Sequence, residues 1–191
     1  MASTIYVDKL DPQSGTALEI GTSGDTITVP SGATFNVAGT LQSGGAAIGN
    51  TPAFMANLGS GQSIANDTTT KVNMDTEIYD TDSKYDTSNY RFTPGVAGKY
   101  LVFAQIMYTA YAADGTAAGL LVKKNGSTVQ ESYERSAYGS NFDFYIHIAT
   151  SVILDDDDYI EIFTRQGSGG AKTAYQGSLY SFWGASKLIG A

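Results

Sequence analysis

At 191 residues the chain suits one domain of ordinary size with a smaller appendage. Hydrophobic residues make up 42%, enough for a core, whereas charged residues reach only 16%, below the roughly 25% of an ordinary soluble protein. A net charge of −8, with 11 basic residues against 19 acidic and no basic cluster, argues against nucleic acid as a partner, and the absence of cysteine excludes a disulfide framework and a thiolate metal site.

The 22 glycines and 13 tyrosines, with many Ser and Thr, suit tight turns and strands, while the strong helix formers are scarce. The expected class is all-β. Met1 to Gly21 carries no basic stretch followed by an apolar run, so export through a signal peptide is not expected. No stretch approaches the length of apolar chain that a spanning helix needs, and membrane insertion is not expected.

Residues 1–50 differ in texture from the rest. Leu18-Glu19-Ile20, Ile27-Thr28-Val29 and Phe35-Asn36-Val37 are apolar–polar–apolar units that begin eight or nine residues apart. Turn formers separate them, at Gly21 to Asp25 and at Pro30-Ser31-Gly32. Units this short are marginal as an isolated sheet and gain stability by stacking on copies of themselves, which three chains wound together would supply. The alternative is a flexible Gly/Ser-rich linker. The regular placing of Ile, Val and Phe argues against it. Residues 41–51 then read as a small, Gly-rich connector, so the expected division is a stalk over 1–50 and a head over 51–191.

In the head, strands are expected at about 53–58, 71–74, 90–93, 99–111, 118–124, 128–135, 141–150, 158–166 and 177–187. Pro94-Gly95-Val96-Ala97-Gly98 is a turn, and Asn125-Gly126 between extended runs is the strongest short-range hairpin signal. In the run Tyr100–Tyr111, alternation puts Tyr100, Val102, Ala104, Ile106 and Tyr108 on one face and Leu101, Phe103, Gln105, Met107 and Thr109 on the other. Both faces are largely apolar, so cover is expected on both, one side by a facing sheet and the other by a neighbouring subunit. Phe142, Phe144, Ile146 and Ile148 alternate with Asp143, Tyr145 and His147, a half-buried pattern.

These pieces resemble, in order, the C1q/TNF-like globular domain. Pro52-Ala53-Phe54-Met55-Ala56 is similar to its opening strand. Tyr85-Asp86, Tyr90-Arg91-Phe92-Thr93-Pro94 and Gly95 to Phe103 are similar to its central block. Leu121 to Gly126 resembles its Lys-Asn-Gly hairpin, Val152 to Ile162 its Leu-x-x-Gly-Asp-x-Val-x-Leu element, and Ser181 to Leu188 its closing strand. Asp157 departs from the pattern, standing where that family usually has Gly. The resemblance covers about 52–188 and implies a ten-stranded jelly roll, a compact homotrimer and a binding module in place of an enzyme. On that reading Tyr100, Val102, Ala104, Ile106 and Tyr108, with Tyr145 and His147, are assigned to the trimer interface.

The first fifty residues look like the short β repeats of bacteriophage fibre and virion appendage proteins. The expectation is therefore a structural virion protein, made in the host cytoplasm and exposed on the particle. Ile5, Tyr6, Val7 and Leu10 would dock on other virion proteins, and the head would engage a host-surface carbohydrate or protein. A capsid decoration or head-fibre protein is the alternative, and a glycan-cleaving enzyme a remote one.

Catalytic residues are not expected. His147 is the single histidine, sits in a strand and has no nucleophile signature nearby. Gly167 to Thr173 is P-loop-like only in part, since Ala171 precedes the Lys and the segment joins two strands; it is expected to be a mobile head loop. Asp155, Asp156, Asp157 and Asp158 form a run of like charge that Ca²⁺ would relieve, with a solvated turn as the alternative. Asp80, Asp82 and Asp86 make a second, looser acidic patch. Tyrosines combine an apolar ring with a polar tip, and Tyr111, Tyr138 and Tyr175 are the candidates for a binding surface. No cofactor other than that calcium is implied.

Overall fold

The computed structural model describes residues 18, 20, 23–39, 41–43, 46–111, 116–136 and 142–188. The chain divides into two units, residues 1–41 and 42–191. In the first, turns form at Ser23-Gly24 and Ser31-Gly32, where turn formers were expected, and Ala33 N donates to the Pro30 carbonyl at 3.0 Å. The described residues between and after the turns lie in no strand, and Ile27, Val29, Phe35 and Val37 face water.

The second unit is all β among its described residues. Its strands in chain order are β1 Gln42–Ser43, β2 Ala46–Ala47, β3 Ala53–Asn57, β4 Gln62–Ile64, β5 Thr70–Lys71, β6 Thr76–Asp80, β7 Tyr85–Asp86 and β8 Arg91–Phe92. The longer ones follow: β9 Gly98–Tyr111, β10 Ala117–Lys124, β11 Ser127–Arg135, β12 Phe142–Leu154, β13 Ile160–Gln166, β14 Lys172–Ala174 and β15 Phe182–Lys187. Apart from the small β1–β2 pair they form two antiparallel sheets. One is seven-stranded, in the order β4-β14-β9-β15-β3-β6 with β12 also on β9. The other is six-stranded, in the order β11-β10-β13-β8-β7 with β5 also on β13.

The two sheets enclose one core, and the alternation of β9 and β12 sets which residues enter it. Tyr100, Val102, Ile106 and Tyr108 on β9 are fully buried, as is Ile146 on β12. Phe54 sits at the centre of an aromatic cluster. Its ring stacks on Tyr85 at 4.5 Å and on Phe92 at 4.7 Å, and meets Trp183 edge-on at 4.6 Å. The polar tips in this core have partners. Tyr85 donates to the Met74 carbonyl at 2.6 Å, Tyr100 to that of Val96 at 2.6 Å, and Trp183 Nε1 to the Tyr85 hydroxyl at 3.3 Å. Thr164 donates to the Gly119 carbonyl at 2.8 Å, so its hydroxyl, 2.6 Å from that of Tyr108, accepts the Tyr108 proton. Burial raises the Tyr85 and Tyr108 phenols well above their ordinary range and pushes Tyr100 up to about 12, so all three stay protonated donors near neutral pH.

The burial of β9 corrects the assignment of its faces. Tyr100, Val102, Ala104, Ile106 and Tyr108 face the opposing sheet and have no surface to offer another subunit. The outward face carries Leu101, Phe103 and Gln105 instead. The ring of Phe103 lies across Gly184 of the neighbouring β15, where an added Cβ would come within 2.6 Å of the ring and 2.5 Å of the Phe54 carbonyl. Tyr111 is corrected as well. Ala110 has φ of 50° and the β9–β12 register shifts there, so strict alternation fails and Tyr111 turns into the core. Its ring stacks on Phe144 at 4.7 Å and its hydroxyl donates to the Ala117 carbonyl at 2.7 Å.

Candidate functional site

Three places in the head bear on function: the acidic turn, the outward face of the seven-stranded sheet and a hollow on the six-stranded sheet lined by Asp67, Tyr133, Arg135 and Arg165. The acidic turn is built against the Asn125-Gly126 hairpin. Both hairpin residues have positive φ, 49° and 80°, as a tight two-residue loop requires. Asn125 N donates to the Tyr159 carbonyl at 3.0 Å, and Tyr159 N donates back to Asn125 Oδ1 at 3.0 Å. Asp158 is buried between them. It accepts from Lys124 Nζ at 2.5 Å, Asn125 Nδ2 at 2.6 Å and the Asp155 amide at 2.7 Å.

This geometry does not fit the calcium expectation for Asp155, Asp156, Asp157 and Asp158. Asp158 already has a cation in Lys124, its three neighbours are exposed, and no metal-holding group of acidic or histidine side chains forms among the described residues. Asp157, where the resembled family has Gly, does not take a positive φ, so the turn tolerates a side chain there. The Lys124 hydrogen bond, followed by that of the Asp155 amide, holds the Asp158 carboxyl below its ordinary range. Its contribution to stability is therefore present above the unfolded-state pKa and is lost as pH falls through the folded one. Asp158→Asn is expected to cost about 1 kcal/mol at pH 6 to 7. In parallel acid titrations the gap between the two proteins should close below roughly pH 4.

The other sequence-level candidates resolve as parts of the scaffold. Asp80 accepts from the Tyr85 amide at 2.6 Å, and Asp86 from the Ser88 and Asn89 amides at 2.8 and 3.1 Å, so both fasten turns. The segment after β13 is tied down, against the expectation of a mobile loop. Gln166, fully buried, donates to the Ile64 and Gly170 carbonyls and accepts from the Ser168 amide and hydroxyl, while Gly169 N donates to Asn66 Oδ1. His147 is exposed on β12, with Nδ1 3.6 Å from Glu134 Oε1. Tyr175 is half-buried and meets Tyr180 edge-on at 5.2 Å. Tyr138, Ile5, Tyr6, Val7 and Leu10 lie outside the described residues.

The outward faces of the two sheets differ in kind. On β13, at the centre of the six-stranded sheet, charges and rings cover one another, whereas Val129 and Tyr133 of β11 stay 44% and 50% exposed. Glu161, buried, accepts from Lys71 Nζ at 2.6 Å and Arg91 Nη2 at 2.9 Å, Arg91 lies over the Tyr159 ring at 4.1 Å, and Lys123 lies over Phe163 at 4.2 Å. Among its described residues the seven-stranded sheet has no comparable cover. Leu101 is 39% exposed, Tyr145 40%, Ile153 67% and Leu179 76%. Gln105, whose Nε2 donates to the Tyr180 carbonyl at 3.1 Å, holds the Leu179 turn to this face. Tyr145 and His147 of the interface assignment do lie here, opposite Met107 and Gln105.

No family model and no curated protein matches the chain. Solved structures do. The Eiger TNF of S. frugiperda is 17% identical with a TM-score of 0.53, covering 73% of this chain and 93% of its own. Murine APRIL at pH 8.0 is 16% identical with a TM-score of 0.55, covering 71% and 98%. The globular domain of zebrafish complement 1qA is 13% identical with a TM-score of 0.51, covering 74% and 98%. At such identities the likeness concerns the fold, and the head of this protein is a jelly-roll sandwich of the TNF and C1q type.

Proposed function

We propose that the protein is a non-enzymatic, homotrimeric structural protein of a bacteriophage virion, with a head that faces outward and binds a host-surface glycan or protein. The observation that carries this reading is the unequal treatment of the two sheet faces. An isolated chain leaves Leu101, Tyr145, Ile153 and Leu179 in water on one sheet, while ion pairs and cation–ring contacts cover the centre of the other around Glu161 and Phe163. An uncovered apolar sheet face is an interaction surface. The trimer implied by the C1q/TNF resemblance supplies the cover, with further copies of the same chain. The exposed Ile27, Val29, Phe35 and Val37 of the first unit are explained in the same way, as apolar units that become covered when three stalks wind together.

Three identical heads give avidity from weak single sites. Ile5, Tyr6, Val7 and Leu10 form the segment that would dock on the particle. Adhesion of the purified trimer to bacterial cells, with competition by the extracted surface polysaccharide, tests the reading. Adhesion supports it. Tight binding to empty capsids with no binding to cells would replace it by capsid decoration. Release of reducing sugar, abolished by changing one carboxylate, would replace it by a glycan-cleaving enzyme.

A further inference from the structure

Asn125-Gly126 forms the turn between β10 and β11, and it is the only Asn-Gly in the chain. The pair has a chemistry of its own beside its fitness for the turn. Glycine lacks the side chain that would otherwise shield its backbone nitrogen from the Cγ of the preceding asparagine. Gly126 N can bond to Asn125 Cγ as the Cγ–Nδ2 bond breaks, and the Gly126 amide proton departs with Nδ2 as ammonia. Water then opens the cyclic imide. Hydrolysis at Cγ leaves an aspartate at this position, and hydrolysis at the main-chain carbonyl leaves an isoaspartate, which lengthens the backbone. Solvent is the only co-reactant.

In the folded head both ends of the Asn125 amide are occupied. Nδ2 donates to Asp158 Oδ1 at 2.6 Å, and Oδ1 accepts from Tyr159 N at 3.0 Å. The main chain is tied to the same segment, since Asn125 N donates to the Tyr159 carbonyl at 3.0 Å. Asp158 is itself a fixed partner. It is buried, and it also accepts from Lys124 Nζ at 2.5 Å and the Asp155 amide at 2.7 Å. Closing the imide ring draws Cγ to bonding distance of Gly126 N, and the amide cannot make that move while tied at both ends to residues 158 and 159. Reaction therefore proceeds only through a local opening that gives up both hydrogen bonds.

We propose that Asn125 is a deamidation site which the contact with Asp158 and Tyr159 keeps closed, and whose conversion unfastens the acidic turn. A carboxylate in place of the amide loses the donor that now meets Asp158 Oδ1 and sets two like charges at hydrogen-bond distance. Lys124 is then one cation shared between two carboxylates. The conversion is irreversible, so each opening that leads to reaction is recorded in the chain. The inference does not depend on what the head binds.

The test incubates the full-length protein in warm, mildly alkaline buffer, with and without urea, and follows the peptide containing Asn125 by mass spectrometry. Conversion in the folded protein is expected to be about a hundredfold slower than in urea, because opening costs one charged and one neutral hydrogen bond. Asp158→Ala, with its folding checked by a cooperative melting transition, should convert at Asn125 roughly tenfold faster than the wild type. Asn125→Asp reproduces the product without waiting for the reaction. Its Tm should lie below that of the wild type near neutral pH, and the gap should narrow in acid as the paired carboxylates take up protons. Equal rates in the folded and urea-unfolded wild type would overturn the inference. So would undiminished protection in folded Asp158→Ala, or an Asn125→Asp protein as stable as the wild type near neutral pH.

Discussion

Phe54→Ala is expected to lower the unfolding free energy of the head by about 3–5 kcal/mol, the cost of removing a large buried aromatic ring. Phe54 is fully buried and its ring touches three others, those of Tyr85, Phe92 and Trp183. Rings locked in stacked and edge-on contact relax poorly into a hole, which places the cost toward the upper part of that range. Urea unfolding at one fixed protein concentration measures it, with an accompanying fall in Tm of roughly 10 °C. The control is Ile78→Ala, on the exposed β6, where a change within about 0.5 kcal/mol is expected. A loss below about 1 kcal/mol at Phe54 would mean that this cluster is not the centre of the core.

Leu101→Asp is expected to leave the head folded and to prevent its assembly. Leu101 lies on the central strand β9 and faces outward, where a charge in the isolated chain meets water. In an assembly that covers this face, the same carboxylate is buried without a partner in every subunit. An uncompensated buried charge costs about 3–5 kcal/mol, enough to weaken association by roughly 100-fold or more. Sedimentation across a concentration series reads this directly. Val102→Asp, one residue away, enters the core instead and should abolish folding, so the pair separates the two faces of one strand. Unchanged assembly of the Leu101 variant would place the subunit contact elsewhere.

Much of the head is legible in the sequence because its signals are local. The hairpin at Asn125-Gly126 pairs Lys124 with Ser127, and β9 begins and ends within a residue of expectation. The alternation of Phe144, Ile146 and Ile148 with Tyr145 and His147 names the buried face of β12 correctly. Alternation does not say which face is inside when both are apolar. That is why the expectation of a subunit contact at Tyr100, Val102, Ala104, Ile106 and Tyr108 fails: these residues are core. A one-residue bulge at Ala110 is likewise silent in the sequence, and it moves Tyr111 from surface to interior.

The short strands β4, β6, β7 and β14 escape sequence reading for a different reason. Thr76–Asp80 has almost no buried residue, so it carries no hydrophobic period and is defined by its ladder to β3. The hollow is hidden in a similar way. Arg135 and Arg165 are distant in the chain, and only the pairing of β11 and β13 with β10 brings them into one lining. Gly119, small in the middle of a strand otherwise rich in Leu and Val and lying beneath the Tyr133 ring, was the one trace of it. Asp158 is a third case, since its partners Lys124 and Asn125 lie across a hairpin that no spacing rule connects to the acidic run.

The proposed trimer forms through the uncovered face of the seven-stranded sheet. The most direct test is the solution mass of the full-length protein by light scattering across a range of concentrations. Three times the 20.1 kDa chain mass is the predicted result. A single chain mass at every concentration would contradict the account, leaving Leu101, Tyr145, Ile153 and Leu179 as a surface that no second copy covers.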